Sequence, residues 1–276
     1  MDLLQAIVLG VVQGLTEFLP ISSSAHLRIV PAILGWKDPG AAFTAVIQLG
    51  TMAAVVVYFR ADLLRIARAW LSSLLDRRAQ ARADLDARLG WYLILATIPI
   101  SLLGLAFKDQ IEHGARDLTI IGTTLIVLGL VLLLAERVSR RERDLATITR
   151  RDAIVVGLAQ ALALIPGVSR SGATITAGLF LGFDRVAAAR FSFLLSIPAV
   201  VLSGLFELKG VVDGSAEGAV SAGPTAIATL LAFVTGYASI AFLLRFLTTH
   251  TTGVFVAYRV VLGASVLALA GTHAIS

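Results

Sequence analysis

The chain has 276 residues, of which 57% are hydrophobic and 15% are charged, and its mean hydropathy is +0.88. Soluble domains carry about a quarter charged residues, so this composition excludes an ordinary soluble protein and indicates a polytopic membrane protein. Cysteine is absent, which excludes disulfides, thiolate metal sites and cysteine nucleophiles. The net charge of +5 is expected to reflect arginine-rich loops, so we expect no nucleic-acid partner.

Six segments have roughly the 20 apolar residues that a membrane-spanning helix needs. They lie at about 41–59, 90–107, 118–135, 187–208, 224–247 and 253–271. The apolar segments 3–34 and 153–182 are instead interrupted by proline and serine, in FLPISSSAH and LIPGVSRSG. Each half is too short to cross a bilayer, so each segment is predicted to form a re-entrant helical hairpin with a polar tip.

Two arginine-rich segments predict the orientation of the chain. Segment 60–88 holds seven arginines and segment 137–151 holds six, so both are expected on the cytoplasmic side. Segments 108–117 and 209–223 are then expected outside. Segment 60–88 also has leucine and alanine at helical spacing, and it fits equally well an amphipathic helix on the inner leaflet or a solvated charged loop.

The two interrupted segments resemble each other at an offset of 147 residues. The coinciding identical residues include Gly10 and Gly157, Gln13 and Gln160, Ser22 and Ser169, Ser24 and Ser171, and Gly35 and Gly182. Each interrupted segment is followed by three spans, so the second copy is predicted to be upside-down relative to the first. We therefore predict an all-α integral membrane protein with six transmembrane helices and two re-entrant helical hairpins in an inverted-topology repeat. It forms a single membrane domain over 1–276, with repeats at about 1–136 and 153–271, whose tips can meet near the bilayer middle.

The first tip carries a dense group of polar side chains. They are Gln13, Glu17, Ser22, Ser23, Ser24 and His26. Gln13 and Glu17 are four residues apart and share a helix face. One of the serines after Pro20 should cap the returning half-helix, and His26 is expected one turn in, on the same side as Ser23.

The second tip carries Ser169, Arg170, Ser171, Gly172 and Thr174. A helix N-terminus beside an arginine is suited to bind phosphate. A serine after proline is usually only a cap, but ionisable residues within a membrane favour a functional interpretation. By contrast, Arg245 and Arg259 can be interpreted as interfacial side chains that reach towards the headgroups.

Together, the two tips supply a carboxylate, hydroxyls, an imidazole and a guanidinium, a combination that suits phosphoryl transfer from a serine nucleophile. A transporter or flippase for an isoprenyl phosphate or another anionic lipid would use the same inverted repeats and broken helices. The residues alone leave both functions open.

Three motifs carry a close resemblance to a known family. GVVQGLTEFLPISSSAH at 10–26, PGVSRSGAT at 166–174 and FSFLLSIPAV at 191–200 resemble the undecaprenyl-diphosphate phosphatase family of bacterial membranes, the bacitracin-resistance type, over essentially the whole chain. The resemblance implies hydrolysis of undecaprenyl diphosphate to undecaprenyl phosphate and inorganic phosphate, which recycles the lipid carrier for peptidoglycan synthesis. It also implies a multi-pass protein of the bacterial plasma (inner) membrane with an active site facing the outer side.

The resemblance also implies roles for individual residues. Ser23 is the implied nucleophile, and Glu17 or His26 receives its proton. The implied phosphate-binding residue is Arg170, with Ser169, Ser171 and Thr174 around it. We also expect Gln13, Ser22, Ser24 and Gly172 to bind the substrate.

The family's activity is generally assisted by Mg²⁺ or Ca²⁺. Gln13 stands where many relatives have Glu, so Glu17 is the expected metal ligand, and the ion should be bound weakly and partly by the diphosphate. No organic cofactor is expected. The expected partners are the lipid substrate and membrane lipids, and homodimerisation is left open.

Overall fold

In the computed structural model of the protein, the described residues are 2–75, 85–107, 117–212 and 222–275. Within these ranges the chain is helical, and its only β pairing is an isolated bridge between Arg143 and Phe183. The α-helices of the described residues are α1 Leu3–Phe18, α2 Ser23–Leu34, α3 Gly40–Tyr58, α4 Arg60–Leu75, α5 Leu85–Ala106, α6 Leu118–Val138, α7 Arg150–Ala161, α8 Arg170–Phe180, α9 Arg185–Val212, α10 Ala222–Phe246 and α11 Gly253–Gly271. Two 3₁₀ turns lie at Leu145–Thr147 and Leu162–Leu164.

Four of the described helices, α5, α6, α10 and α11, are long and apolar enough to cross a membrane. A fifth candidate arises if the bent pair α3 and α4 is taken as one span. The predicted span 187–208 lies within α9. The side chains in the second part of α9 are not among those that the structure describes. The structure is therefore an all-helical protein with four or five candidate membrane spans. The predicted outer segments 108–117 and 209–223 lie largely outside the described residues.

The arginine-rich segment 60–88 begins with the helix α4, which bends by 74° away from the apolar helix before it. Four of its leucines are exposed, namely Leu64, Leu71, Leu74 and Leu75. Arg65 on α4 forms an ion pair of 2.6 Å with Asp86 of α5, which holds the helix against its neighbour. The helical alternative for the first part of this segment is therefore confirmed.

Both interrupted segments consist of two short helices joined at the proline, α1 with α2 and α7 with α8. The helix α8 has 11 residues and is ~16 Å long, about half the hydrocarbon thickness of a bilayer. Its residues Ser171 to Leu179 are all buried. A short helix that ends inside a protein needs partners for its terminal N–H groups, and the capping serines described below supply them.

The first half of each interrupted segment packs on a helix from the other half of the chain, α1 on α10 and α7 on α5. Glycines permit the close approach. A Cβ at Gly10 would lie 2.4 Å from the carbonyl oxygen of Ala228, and a Cβ at Gly157 would lie 2.5 Å from that of Ala96. The two glycines are the matching residues of the 147-residue offset, so the equivalence seen in sequence extends to packing.

Candidate active site

The first break lies between α1 and α2. Helix α1 ends at Phe18, before Pro20, and the N-cap of α2 is Ser22. The Ser22 Oγ accepts a hydrogen bond of 3.4 Å from the Ala25 N–H. Ser22 has φ 73°, a left-handed conformation that L-residues rarely adopt, so the chain turns sharply at this residue. As predicted, a serine of the SSS run caps the returning helix.

The second break repeats this geometry at Ser169, the N-cap of α8. Its φ is 69°, and its Oγ accepts a hydrogen bond of 3.1 Å from the Gly172 N–H. In each tip the capping serine also contacts the serine two residues later, with Oγ to Oγ distances of 3.2 Å for Ser22 and Ser24 and 3.1 Å for Ser169 and Ser171. Two helix N-termini, each with partial positive charge, therefore begin at the breaks.

The two tips contact each other directly. The Arg170 guanidinium forms an ion pair with the Glu17 carboxylate, and the Ser171 hydroxyl donates a hydrogen bond of 3.0 Å to the Leu19 carbonyl. The side chains of Arg170 and Glu17 are 16% and 7% exposed. An ion pair this far from solvent is weakly screened, so it holds the two tips in a defined relative position.

The Glu17 carboxylate accepts hydrogen bonds from three side chains. One oxygen binds Arg170, and the other accepts hydrogen bonds of 2.6 Å from Ser23 Oγ and 3.1 Å from Gln13 Nε2. Ser23 is the first residue of α2 and is only partly buried. A hydroxyl that donates to a carboxylate and faces an accessible side has the geometry of a nucleophile beside its base.

The hydrogen bonds of the His26 ring go to residues other than Ser23. Its Nδ1 lies 2.7 Å from the Ser22 carbonyl oxygen, which can only accept, so Nδ1 carries the hydrogen. In the neutral imidazole, Nε2 then accepts from the Tyr258 hydroxyl at 2.7 Å. The two rings are stacked at 5.6 Å. Both nitrogens are therefore occupied, and Tyr258 is a neighbour of the site that the sequence analysis did not identify.

Two of the predicted substrate-binding residues face away from the Glu17 carboxylate. The Thr174 hydroxyl donates to the Arg170 carbonyl at 2.8 Å and lies 2.6 Å from Ser192 Oγ on α9, so it holds α8 against α9. Gly172 is part of the first turn of α8, where a Cβ would lie 2.8 Å from a nitrogen of Arg259. Ser24, by contrast, is exposed at the tip of the first hairpin.

Arg259 is not an interfacial side chain, and that interpretation was wrong. It is 0% exposed and donates five hydrogen bonds to main-chain carbonyls. The acceptors are Leu125, Pro20, Thr124, Gly167 and Val168. The sequence did carry a signal, because a lone arginine inside an apolar span is costly and marks a functional candidate.

The described residues offer few ligands for a metal ion. They contain no group of three or more His, Cys, Asp or Glu side chains that could hold one. At the tips the oxygen donors are Glu17 and the side-chain carbonyl of Gln13, a buried atom with no hydrogen-bond partner within the described residues. Two such oxygens fit a cation that brings most of its ligands with it, as Mg²⁺ does, and not a resident ion in an all-protein cage.

Comparisons with known proteins identify relatives across the chain. A family model described as bacitracin resistance protein BacA matches residues 6–265. The chain is similar to an undecaprenyl-diphosphatase of Nocardioides sp., 58% identical over 275 residues that cover 100% of this chain and 99% of the relative. It is also similar to undecaprenyl-diphosphatase 3 of Frankia alni, with 54% identity over 292 residues, 100% of this chain and 97% of that protein. A third relative, the undecaprenyl-diphosphatase of Chlorobaculum parvum, is 52% identical over 282 residues, 99% of this chain and 98% of its own.

Proposed function

The chain belongs to the bacitracin resistance protein BacA family, and we propose that it is an integral membrane phosphatase that hydrolyses undecaprenyl diphosphate to undecaprenyl phosphate and inorganic phosphate. The printed names of its relatives support the substrate. The single observation that carries the reaction is the Ser23 hydroxyl, which donates to Glu17 beside Arg170. This arrangement combines a nucleophile, its base and a phosphate-binding cation at one place.

In the first step, Ser23 Oγ forms a bond to the terminal phosphorus while the bond from that phosphorus to the bridging oxygen breaks. The Ser23 proton passes to the Glu17 oxygen that lies 2.6 Å away. Undecaprenyl phosphate leaves with the bridging oxygen. Glu17 is the base in this proposal because Ser23 donates its hydrogen bond to Glu17, whereas the His26 ring is hydrogen-bonded to the Ser22 carbonyl and Tyr258.

In the second step, the oxygen of a water molecule forms a bond to the phosphorus of the Ser23 phosphoester while the bond from that phosphorus to Ser23 Oγ breaks. The proton held by Glu17 returns to Ser23 Oγ, and the protons of the water leave with the inorganic phosphate. General acid–base catalysis of this kind contributes about 10²–10⁴-fold to a rate. The same carboxylate therefore serves both steps.

Arg170 and the N-terminus of α8 hold the transferring phosphoryl group. The guanidinium binds Glu17 in the free protein, and the diphosphate oxygens compete for its N–H groups when the substrate arrives. The helix N-terminus presents partial positive charge at the same tip. Charge that develops on the phosphoryl oxygens is thereby stabilised by groups already in place.

A divalent cation, Mg²⁺ or Ca²⁺, is proposed to enter with the diphosphate and not as a resident ion. Glu17 and the free side-chain carbonyl of Gln13 would hold it from the protein side. Its chemistry would be to neutralise charge on the diphosphate. The proposal assigns no organic cofactor.

The proposed setting is the bacterial inner membrane, with six spans, two re-entrant hairpins in an inverted-topology repeat, and the site open to the outer face. The matched caps at Ser22 and Ser169 and the matched packing of Gly10 and Gly157 support the repeat. The arginine-rich segments 60–88 and 137–151 support a cytoplasmic location for both.

Phosphate release from undecaprenyl diphosphate by purified protein in detergent micelles tests the function. Micelles have no second leaflet, so transport alone would release no phosphate. We expect release by the wild type and a loss of at least a hundredfold in Ser23→Ala, with Ser101→Ala as a control, since the Ser101 hydroxyl donates a hydrogen bond to Thr97 of its own helix.

A flippase for the same lipid is the second candidate, and the paired broken helices favour it. If folded wild-type protein released no phosphate but moved the lipid across a vesicle bilayer, that result would refute the phosphatase function and support the flippase function.

A further inference from the structure

Arg259 is the largest fully buried side chain of the described residues. Every hydrogen bond that its guanidinium makes within the described residues ends on a main-chain carbonyl oxygen, at distances between 3.1 and 3.3 Å. A buried cation is costly unless it is hydrogen-bonded, and the five carbonyl acceptors bind Nε, Nη1 and Nη2 of this guanidinium without neutralising its charge. The positive charge of Arg259 therefore persists inside the protein.

Three of the five acceptors of Arg259 lie at the two breaks, and the other two, Thr124 and Leu125, lie in α6. Pro20 ends the first entering half, and Gly167 and Val168 lie just before the second returning helix. Their carbonyls have lost their helical partners at the breaks, and unpaired carbonyls in a membrane interior cost several kcal/mol each, as an order of magnitude. One side chain from α11 thus provides hydrogen-bond donors for main-chain carbonyls of two segments that are far apart in sequence.

These carbonyls also matter for an anionic substrate. Their partial negative charge lies at the same tips as Arg170 and the two helix N-termini, and it would repel a diphosphate. Arg259 binds these oxygens and leaves a positive charge in excess. Since Arg170 is paired with the Glu17 carboxylate, the uncompensated positive charge near the tips is that of Arg259, together with the N–H groups of α2 and α8.

The surrounding helices leave room for this side chain. A Cβ at Gly129 of α6 would lie 3.3 Å from the Arg259 Cβ, and a Cβ at Gly172 of α8 would lie 2.8 Å from its Nη1. At the second position a methyl group would have to displace the guanidinium or the first turn of α8. The close fit indicates that the guanidinium position is fixed by packing as well as by hydrogen bonds.

We propose that Arg259 is a positioning residue of the phosphoryl-transfer site. It fixes the two breaks relative to each other, so that Arg170 and Ser23 meet at Glu17, and its uncompensated charge favours binding of the diphosphate group. The proposal rests on the proposed phosphatase function for its effect on turnover, but the effect on anion binding can be measured without turnover.

The test compares Arg259→Lys and Arg259→Gln with the wild type in detergent. Arg245→Gln is the control, because Arg245 lies in the last turn of α10 and is exposed. The folded fraction of each protein is measured by gel filtration and thermal unfolding. Inorganic pyrophosphate serves as the binding probe, and phosphate release from the lipid diphosphate gives kcat and KM.

Arg259→Lys keeps the charge but has fewer donors, so we expect pyrophosphate affinity within about threefold of the wild type and kcat reduced at least tenfold. Arg259→Gln loses the charge, and we expect at least a tenfold loss of pyrophosphate affinity and at least a hundredfold loss of kcat. Folded Arg259→Gln with wild-type pyrophosphate affinity would overturn the electrostatic role, and wild-type kcat in both variants would overturn the positioning role.

If Arg259→Gln does not fold, Gly172→Ala keeps the proposal testable, since its methyl group would have to displace the guanidinium or the first turn of α8 and so disturb the contact between them. We expect at least a tenfold loss of kcat in folded Gly172→Ala, and an unchanged kcat would contradict the proposal. Pyrophosphate binding that changes as expected in a protein that releases no phosphate would sustain the role of Arg259 and refute the phosphatase function.

Discussion

The Ser23 hydroxyl donates its hydrogen bond to Glu17, six residues earlier in the chain and on the other half of the hairpin, at 2.6 Å. The nearer candidate in sequence, His26, lies on the same helix as Ser23 but binds the Ser22 carbonyl. The chain reverses direction at Pro20, and this reversal brings the last turn of α1 beside the first turn of α2. Glu17 is therefore the group in place to receive the proton of Ser23.

Glu17→Gln should lower kcat by about 10²–10⁴-fold, because the amide has a similar shape but cannot accept the proton of Ser23. Phosphate release from the lipid diphosphate measures the effect. Glu142→Gln, at an exposed position, is the matched control and should leave kcat within twofold. A folded Glu17→Gln protein with more than a tenth of the wild-type kcat would exclude Glu17 as the base.

Arg170→Lys should reduce kcat by about 10–100-fold while the protein stays folded. Lysine keeps the positive charge but has no planar fork to bind two phosphate oxygens at once. Arg170→Ala should be worse, since it also leaves the Glu17 carboxylate buried without its cation. Equal activities of the lysine and alanine variants would show that the charge at this position plays no part in turnover.

His26→Asn should retain several times the activity of His26→Ala. The asparagine side-chain N–H can donate to the Ser22 carbonyl in place of Nδ1–H, and so can preserve the turn at Ser22, but asparagine cannot act as a base. Steady-state phosphate release by the two folded variants makes the comparison. If His26 were the base, both variants would be equally inactive.

The hydrogen bond between Tyr258 and His26 can be tested in the same assay. Tyr258→Phe should lower kcat by less than tenfold, because the His26 Nε2 that it leaves is not the group to which Ser23 donates its hydrogen bond. A double-mutant cycle with His26→Asn measures the coupling of the two side chains. A coupling close to zero would mean that this contact does not support the site.

Gly10→Ala and Gly157→Ala should each destabilise the protein by about 1–3 kcal/mol, because the added methyl group meets a backbone carbonyl in a close helix contact. The oxygens concerned are those of Ala228 and Ala96. Thermal unfolding in detergent should show lower midpoints for both variants. Gly223→Ala is the control, since nothing lies within 4 Å of its added Cβ and the midpoint should not fall.

Similar losses at Gly10 and Gly157 would support the equivalence of the two interrupted segments. A loss at only one of the two glycines would limit the equivalence to the tips, where the capping serines match.

Several local features followed from the residues alone. The length of apolar runs predicted where helices lie, Pro20 and Pro166 predicted where two segments break, and the serines predicted the caps. Such features depend on neighbours within a few residues of one another, because helix propensity, proline geometry and capping act over one turn. The match at an offset of 147 residues likewise needed only the linear sequence.

The contacts that assemble the site depended on tertiary packing. Arg259 was interpreted as an interfacial side chain, since only the folded chain shows that its guanidinium reaches Pro20, 239 residues away, and Gly167, 92 residues away. The Tyr258 hydroxyl is hydrogen-bonded to His26, 232 residues away in sequence. Ser23 is hydrogen-bonded to Glu17 because the hairpin brings the last turn of α1 beside the first turn of α2. The linear sequence therefore determined the helices, their breaks and the polar residues at the tips. Tertiary structure decided which of those polar groups face one another, because a side chain's partner depends on how distant helices pack.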